Sequence, residues 1–325
     1  MAKAAAQLKS PPRLEVRQHT KYEHLIDMAK TKPPLWTAVV HPCDESALDG
    51  TVEAFESGLI KPILVGPAGK IRSIAEKLSL DISGLEIVDV PHSQASAERA
   101  VALVREGKAE LLMKGSLHSD EILGEVTKRD GLRTGRRVSH VFIMDVPTHP
   151  HTLFITDAAV NIAPDLMAKR DIVQNAIDLF VGLGLGTPKV AILSAVETVT
   201  VAIPSTIEAA ALCKMADRGQ ITGGELDGPL AFDNAISEEA AHIKGIKSPV
   251  AGKAQILVVP DLEAGNMLAK NLSFLSNADA AGIVLGARVP IILTSRADNL
   301  RTRLASCAVA SLLAYSQKTG RPIQS

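Results

Sequence analysis

The chain contains 325 residues, of which 46% are hydrophobic and 22% are charged, and this composition excludes a wholly disordered protein. The 35 Lys and Arg residues nearly balance the 36 Asp and Glu residues, and only 3% of the residues are aromatic, so binding to nucleic acid or to a membrane surface is not expected. The length suggests two domains.

Strand-like and helix-like segments alternate in the first part of the chain. Short runs of β-branched and apolar residues predict buried strands at 35–42, 62–67, 85–90 and 111–116. The longer stretches between them are amphipathic; in 93–107, apolar or small residues recur at helical intervals. This alternation predicts βαβ units and a parallel sheet covered on both faces.

The pattern changes near residue 136. Two β-like runs flank Thr148-His149-Pro150 with no room for a crossover helix, which predicts a hairpin or a strand passing between domains. The α/β alternation then resumes, and a final amphipathic helix ends at Gly320, a typical C-cap. Further strands are predicted at 188–195, 254–260 and 289–295. We therefore expect two α/β domains with a break near residue 147.

The segment Lys114–Glu121 ends a predicted strand and begins a helix. Ligands bind beyond the carboxyl ends of strands in open α/β sheets, so Lys114 is a candidate binding residue. Gly115 permits a close backbone approach, and Ser116 or Ser119 can cap the helix. A capped helix with a solvated lysine explains the same residues equally well.

The segment Thr294-Ser295-Arg296-Ala297-Asp298 has the same position relative to a later strand. A helix N-terminus presents unpaired N–H groups that bind anions, and an arginine adds a planar fork that matches phosphate. Ser295 supplies a hydroxyl and Asp298 a carboxylate within one turn. The alternative is structural: Asp298 as the N-cap and Arg296 as a surface cation.

The remaining motifs exclude several kinds of site. The glycine-containing segment 66–71 lacks phosphate-loop spacing, and Gly182, Gly184 and Gly186 follow a helix instead of a strand, so a Rossmann nucleotide site is rejected. The histidines lack metal-ligand spacing, and no metal is expected. Three distant cysteines and the absence of a signal peptide or of an uncharged apolar run of about 18 residues favour a cytoplasmic protein.

Several segments together resemble one family. In chain order they are KGSLHSDEIL, SHVFIMDVP, TDAAVNIAPD, PKVAILSAVE, DGPLAFDNAIS, SPVAGKAQILVVPDLEAGNMLAK and PIILTSRAD. This set resembles the phosphate acetyl/butyryltransferase family from about residue 35 to the C-terminus. The resemblance implies reversible acyl transfer, acyl-CoA + phosphate ⇌ CoA + acyl phosphate, with coenzyme A as co-substrate and no bound cofactor.

The resemblance also implies a fold and an assembly. The fold is α/β, with two three-layer domains of the isocitrate/isopropylmalate dehydrogenase-like type and an active-site cleft between them. The first domain comprises 1–147 and 288–325, because the chain's end returns to it, and the second comprises 148–287. A homodimer is expected, with the second domain forming the dimer contact and one wall of the cleft.

The family mechanism is direct transfer in a ternary complex. In the acyl-phosphate-consuming direction a carboxylate takes the thiol proton, an arginine holds the phosphate and a serine hydroxyl supports the developing oxyanion. Ser295 and Arg296 match the family's Ser-Arg pair, and Asp298 is the nearby acid assigned as the base. Motif position implies further substrate-binding residues in the cleft: Lys114, Ser116, Arg133, Asp157, Asn161, Glu263, Asn266 and Lys270.

Alternatives remain open at this level. A phosphate acetyltransferase is the first hypothesis and a phosphate butyryltransferase the second, because the S-R-A-D pattern also resembles butyryl-type enzymes. An NAD-linked decarboxylating dehydrogenase of related fold and a non-catalytic CoA-binding protein are more distant alternatives.

Overall fold

A single mixed sheet of eleven strands runs through residues 20–294 and 298–323, the parts of the chain that the computed structural model describes. The strands are β1 (Leu35–Val40), β2 (Ile60–Gly66), β3 (Glu86–Asp89), β4 (Leu111–Lys114), β5 (Ser139–Asp145), β6 (Leu153–Thr156), β7 (Lys189–Leu193), β8 (Glu225–Leu230), β9 (Ile256–Val258), β10 (Asp279–Leu285) and β11 (Ile291–Ile292). Their order across the sheet is β3-β2-β1-β4-β11-β10-β5-β6-β9-β7-β8.

Helices connect the strands and cover the sheet. They are α1 (Lys21–Lys30), α2 (Glu45–Glu56), α3 (Ala68–Leu78), α4 (Ser93–Arg105), α5 (Ser119–Thr127), α6 (Leu166–Gly182), α7 (Pro204–Asp217), α8 (Phe232–Ile236), α9 (Glu238–Ile243), α10 (Leu262–Leu275) and α11 (Leu300–Thr319). Within the described ranges, none of these helices combines the length and apolar character needed to cross a membrane.

The sheet is parallel at both ends and antiparallel in the middle. Strands β3, β2, β1, β4 and β11 pair in parallel, as do β6, β9, β7 and β8. Strands β11, β10, β5 and β6 pair antiparallel to one another. The predicted parallel sheet is therefore correct for the βαβ portions, and the change of pattern near residue 136 is the β5–β6 hairpin.

Two strands were not expected from the sequence. The first is β10 (Asp279–Leu285), which pairs antiparallel around the turn at Gly286 with β11, the strand expected within 289–295. Strand β8 covers residues that are typical of a turn, including Gly228 and Pro229. It pairs in parallel with β7 at the edge of the sheet, where a strand tolerates proline and glycine.

The last helix, α11, lies mainly against elements from the first part of the chain. Helix α11 packs against α1, α2 and β10, and most of its side chains are buried. It ends at Gly320, which has a φ of 64°, so the predicted C-cap is confirmed. Strand β11, just before this helix, fills the position between β4 and β10.

Helix α1 fastens the ends of the two central antiparallel strands. The single O–H of Tyr22, fully buried, is shared between the carbonyl oxygens of Ile143 and of Asp279, the latter at 2.9 Å, and its oxygen accepts from the N–H of Ala281 at 2.8 Å. Lys21 forms a 2.7 Å ion pair with the buried carboxylate of Asp145. These contacts hold the last residues of β5 next to the first residues of β10, where Asp145 pairs with Asp279.

Candidate active site

The loops that follow β1 and β4 lie against each other at the carboxyl edge of the sheet. A Cβ on Gly115 would lie 2.4 Å from the carbonyl oxygen of Val40 and 2.6 Å from that of His41, so the close approach requires glycine. Ser116 Oγ donates to the His41 carbonyl oxygen at 2.9 Å and accepts from the Cys43 N–H at 3.2 Å. Ser116 therefore joins the two loops.

The helix cap predicted for this segment differs from the observed one. Helix α5 begins at Ser119, with His118 as N-cap, and Glu121 Oε1 accepts from the N–H of His118 at 3.0 Å. Neither Ser116 nor Ser119 is the capping residue, because Ser116 is engaged by the loop after β1 and Ser119 already lies inside the helix.

A cavity of about 400 Å³ opens at the end of β4. We call it the reaction cavity; it is lined by Lys114, Leu117, His118, Ser119, His140, Phe142, Leu293, Thr294 and Asp298. Strand β4 contributes Lys114, while Leu293 and Thr294 directly follow β11. Lys114 and Asp298, both identified from sequence, are thus brought to one cavity. Ser295 and Arg296 lie outside the described residues.

Asp298 is not the N-cap of α11, which is the structural role that the sequence left open for it. The N-cap of α11 is Asn299, whose Oδ1 accepts from the N–H of Thr302 at 2.8 Å. Asp298 precedes this cap and lines the reaction cavity. The capping alternative for Asp298 is therefore wrong, and its role as the base stays a prediction.

A second, larger cavity of about 770 Å³ lies along the side of α5. We call it the arginine cavity, since its lining includes Arg133, Arg136, Arg137 and Arg170 beside Asp120, Asn161, Asp165 and Asp171. Helix α5 borders both cavities, its first residue lining the reaction cavity and its later turns the arginine cavity. A cavity lined by four arginines and three aspartates thus shares α5 with the reaction cavity.

The arginines of this cavity differ in whether other side chains of the protein bind their guanidinium groups. Arg136 pairs with Asp178, Arg170 pairs with Asp171 at 2.6 Å, and Arg137 Nε donates to Asn161 Oδ1 at 2.8 Å. Arg133 is exposed, and among the described residues its side chain forms no ion pair. Arg133 is therefore the guanidinium most available to an anion.

Asp157 and Asn161 form a closed loop after β6. The Asp157 carboxylate accepts from the N–H groups of Ala159 and Val160, both at 3.0 Å, and from Asn161 Nδ2 at 2.6 Å. Asn161 Nδ2 also donates to the Val138 carbonyl oxygen at 2.9 Å. Asn161 lines the arginine cavity, while the oxygens of Asp157 are turned toward the loop's own amides. This loop positions Arg137.

The sequence-derived residues of α10 lie apart from both cavities. Asn266 Nδ2 donates to the Ala158 carbonyl oxygen at 3.2 Å, which connects α10 to the loop after β6. Glu263 and Lys270 are exposed and line neither the reaction cavity nor the arginine cavity. For these two residues a role in substrate binding stays a prediction.

Cys43, which lies in the loop after β1, does not have the environment of a reactive nucleophile. Cys43 is 4% exposed, and burial raises the pKa of its thiol to about 11. A thiol needs a lowered pKa to be a thiolate near neutral pH. In ranges 20–294 and 298–323, His, Cys, Asp and Glu residues form no group of three or more that could hold a metal ion.

Sequence reasoning did not single out several residues of these cavities. His140, Phe142 and Leu293 were assigned only to strands, and Leu117 only to the segment Lys114–Glu121, without a role of its own. Arg136 and Arg137 follow Arg133 in a short basic segment, LRTGRR, immediately before β5. Local charge clustering in that segment was the one signal from which the arginine cavity could have been found.

Comparisons with known proteins point in one direction. The model of the family described as phosphate acetyl/butaryl transferase matches residues 92–311. The chain is 70% identical over 305 residues to a phosphate acetyltransferase of Rhizobium meliloti, covering 94% of this chain and 96% of that protein. It is 42% identical over 298 residues to a phosphate butyryltransferase of Clostridium beijerinckii, covering 91% and 99%. The crystal structure of a branched-chain phosphotransacylase from Enterococcus faecalis V583 superposes with a TM-score of 0.76 at 30% identity, covering 86% and 99%.

Proposed function

The chain belongs to the phosphate acetyl/butyryltransferase family, and from this we propose that it catalyses acetyl-CoA + phosphate ⇌ CoA + acetyl phosphate. The observation that carries the proposal is the 70% identity with a phosphate acetyltransferase across 94% of the chain. The enzyme is an acyltransferase, with coenzyme A as a co-substrate that leaves after each turnover.

The proposed chemistry takes place in the reaction cavity. In the acyl-phosphate-consuming direction, Asp298 accepts the proton of the CoA thiol, because the thiolate is the nucleophile that attacks the acyl carbonyl. Arg296 holds the departing phosphate and Ser295 supports the developing oxyanion. The presence of Lys114 together with Asp298 in the lining of the reaction cavity supports phosphate binding there, since an ammonium group stabilises phosphate charge.

We place the phosphates of coenzyme A in the arginine cavity. Coenzyme A is long and carries its negative charges far from its thiol, so its two ends need separate sites. Helix α5 borders both cavities, which lets one molecule bind by its phosphates beside Arg133 and present its thiol to the reaction cavity. This arrangement explains how a chain with a formal net charge of −1 binds two anionic substrates.

The proposal is tested by phosphate-dependent CoA release. Purified protein is mixed with acetyl-, propionyl- or butyryl-CoA, and free thiol is measured with and without inorganic phosphate. We expect release that requires phosphate, with the highest kcat/KM for acetyl-CoA. Absence of phosphate-dependent release with all three substrates would refute the proposed function.

Replacement of Arg296 by alanine tests the assignment of the phosphate site. Arg296→Ala should raise the KM for phosphate and lower kcat, because a bidentate guanidinium contact to phosphate is lost. Arg288→Ala is a matched control, since Arg288 is exposed and lines neither cavity. Equal kcat and KM values for the two variants would show that Arg296 does not bind phosphate.

A phosphate butyryltransferase is the second candidate. The 42% identity with such an enzyme across 91% of the chain supports it. Acetyl and butyryl groups differ by two methylenes, each worth only about 0.8 kcal/mol on burial, so a small change in one pocket can reverse the preference. A higher kcat/KM for butyryl-CoA in the same assay would favour this candidate.

We also propose an assembly and a division of the sheet. The unit formed by 1–147 and 288–325 and the unit formed by 148–287 correspond to the isocitrate/isopropylmalate dehydrogenase-like fold. The pairing of β10 with β5 and β11 favours moving the second boundary to a point before β10.

The exposed side chains of Met267, Phe274 and Leu275 on α10 support a homodimer formed through the second unit. We further propose a cytoplasmic location, which the free cysteines Cys43, Cys213 and Cys307 support.

A further inference from the structure

One buried side chain of the reaction cavity has polar atoms that the protein does not satisfy. His140 lies on β5 with none of its surface exposed. In the described part of the chain, neither Nδ1 nor Nε2 of His140 has a hydrogen-bond partner. Buried polar side-chain atoms are nearly always hydrogen-bonded, so an exception inside a cavity calls for a partner that enters the cavity.

The sheet provides space for this imidazole ring. His140 pairs with Val284 of β10, and its neighbour on the same face, Phe142, pairs with Gly282. A Cβ on Gly282 would lie 3.0 Å from His140 Nε2 and 2.5 Å from the Leu293 carbonyl oxygen. Glycine at position 282 therefore keeps open the place that the ring occupies. The Phe142 ring contacts the imidazole edge-on, with centroids 4.3 Å apart, and limits its rotation.

The ring is neutral under ordinary conditions. Burial lowers the pKa of His140 to about 4, and the nearby charge of Asp157 opposes this shift only in part. A neutral imidazole has one N–H donor and one lone pair. Such a donor suits an uncharged acceptor, whereas a phosphate group is better matched by the cationic residues of the cavity.

The surroundings of the ring indicate which part of a substrate it meets. Leu117, Phe142 and Leu293 give the reaction cavity an apolar wall, while Lys114 and Asp298 complete the lining with charged groups. An acyl group has the same composition: a short apolar chain and a carbonyl oxygen that accepts hydrogen bonds. The wall fits the chain, and the imidazole N–H fits the oxygen.

We propose that His140 donates a hydrogen bond to the carbonyl oxygen of the acyl group and holds its chain against Leu117, Phe142 and Leu293. The inference rests on the proposed function and adds a substrate-binding residue to it. Because the bond strengthens as negative charge develops on that oxygen, His140 contributes to the transition state as well as to binding.

The proton of His140 stays in place during transfer. With acyl-CoA as substrate, an oxygen of HPO₄²⁻ forms a bond to the acyl carbon, and the carbonyl π electrons move onto the acyl oxygen. The carbonyl then re-forms as the C–S bond breaks, and the electron pair of that bond leaves with sulfur. Sulfur receives the proton that the phosphate gives up, so donors, acceptors and electrons balance without ionisation of His140.

The test compares a variant that lacks a donor with one that keeps it. His140→Leu should lower kcat for acetyl-CoA by about tenfold to a hundredfold, with the KM for phosphate changed less than about twofold. His140→Gln should recover a large part of the rate, because its amide N–H₂ reaches a similar position. Asn234→Leu is the matched control, since Asn234 is equally buried and unpartnered among described residues but lines neither cavity.

A spectroscopic measurement separates substrate contact from a purely structural role. The carbonyl stretch of bound acetyl-CoA labelled with ¹³C at the carbonyl should lie at lower frequency in the wild type and His140→Gln than in His140→Leu. Wild-type kinetics in His140→Leu would overturn this inference and leave the proposed function intact. Equal losses of kcat in His140→Leu and His140→Gln, with an unchanged carbonyl stretch, would do the same. Absence of phosphate-dependent turnover in the wild type would instead refute the proposed function.

Discussion

Single residues decide how charge is distributed at the site. Arg136, Arg137 and Arg170 are held by protein carboxylates or amides, and Arg133 is exposed without an ion pair among the described residues. Sequence reasoning selected Arg133 from its motif position. The basic segment LRTGRR pointed to its neighbours Arg136 and Arg137, but their contacts with α6 depend on tertiary packing and could not be predicted from that segment.

Arg133→Ala should raise the KM for acetyl-CoA by about tenfold while the KM for phosphate stays unchanged, because one charge-assisted contact to a CoA phosphate is lost. Arg129→Ala provides the control, since Arg129 is exposed and lines neither cavity. Steady-state kinetics with each substrate varied in turn measures both constants. A rise in the KM for phosphate alone would show that Arg133 binds phosphate and not coenzyme A.

His140 should also make stability depend on pH. Its pKa is about 4 in the folded protein against an ordinary 6.5, so below pH 6.5 the unfolded chain binds a proton that the folded protein does not. The resulting stability is present above pH 6.5 and is lost as pH falls toward 4, by about 2 kcal/mol at pH 5. Urea unfolding of wild type and His140→Leu at pH 7 and pH 5 measures this difference. Parallel losses in the two proteins would contradict the prediction.

Secondary-structure elements show where sequence patterns succeed. The helices with clear amphipathic spacing and the strands β1, β2, β4 and β7 were predicted, because burial between helices on both faces leaves continuous apolar runs. Strand β8 was missed because its Gly228 and Pro229 are turn-forming residues, and only pairing with β7 extends them. Strand β10 was missed because it merges with β11 into one apolar run, and a tight antiparallel turn inside such a run has no periodic signal.

The contact between the loops after β1 and β4 gives a prediction at this scale. Gly115→Ala should lower the free energy of unfolding by about 2–3 kcal/mol, since its Cβ would meet backbone carbonyl oxygens that cannot move aside. Gly124→Ala, inside α5 with open space around it, should raise that free energy by up to about 1 kcal/mol. Urea unfolding of both variants checks the contrast, and equal effects would show that the two loops can separate.

The molecule as a whole presents an uneven surface. Met267, Phe274 and Leu275 lie on one helix, α10, and are 66%, 81% and 80% exposed. Phe274→Glu should convert the proposed homodimer to monomer, because a carboxylate would be buried without a partner in an apolar contact. Light scattering after size-exclusion chromatography measures the mass, with Phe55→Glu on α2 as a control at another exposed phenylalanine. A monomeric wild type would refute the dimer.

The position of β11 also has a consequence for synthesis on the ribosome. This two-residue strand lies between β4 and β10, although it is made after both, and α11 covers it last. While β11 and the residues after it are still inside the exit tunnel, the part of the sheet already made lacks the strand between β4 and β10, and the lining of the reaction cavity lacks Leu293, Thr294 and Asp298. Domains generally fold as units during translation. We expect this nascent chain to gain its substrate affinity only after β11 and α11 have left the tunnel.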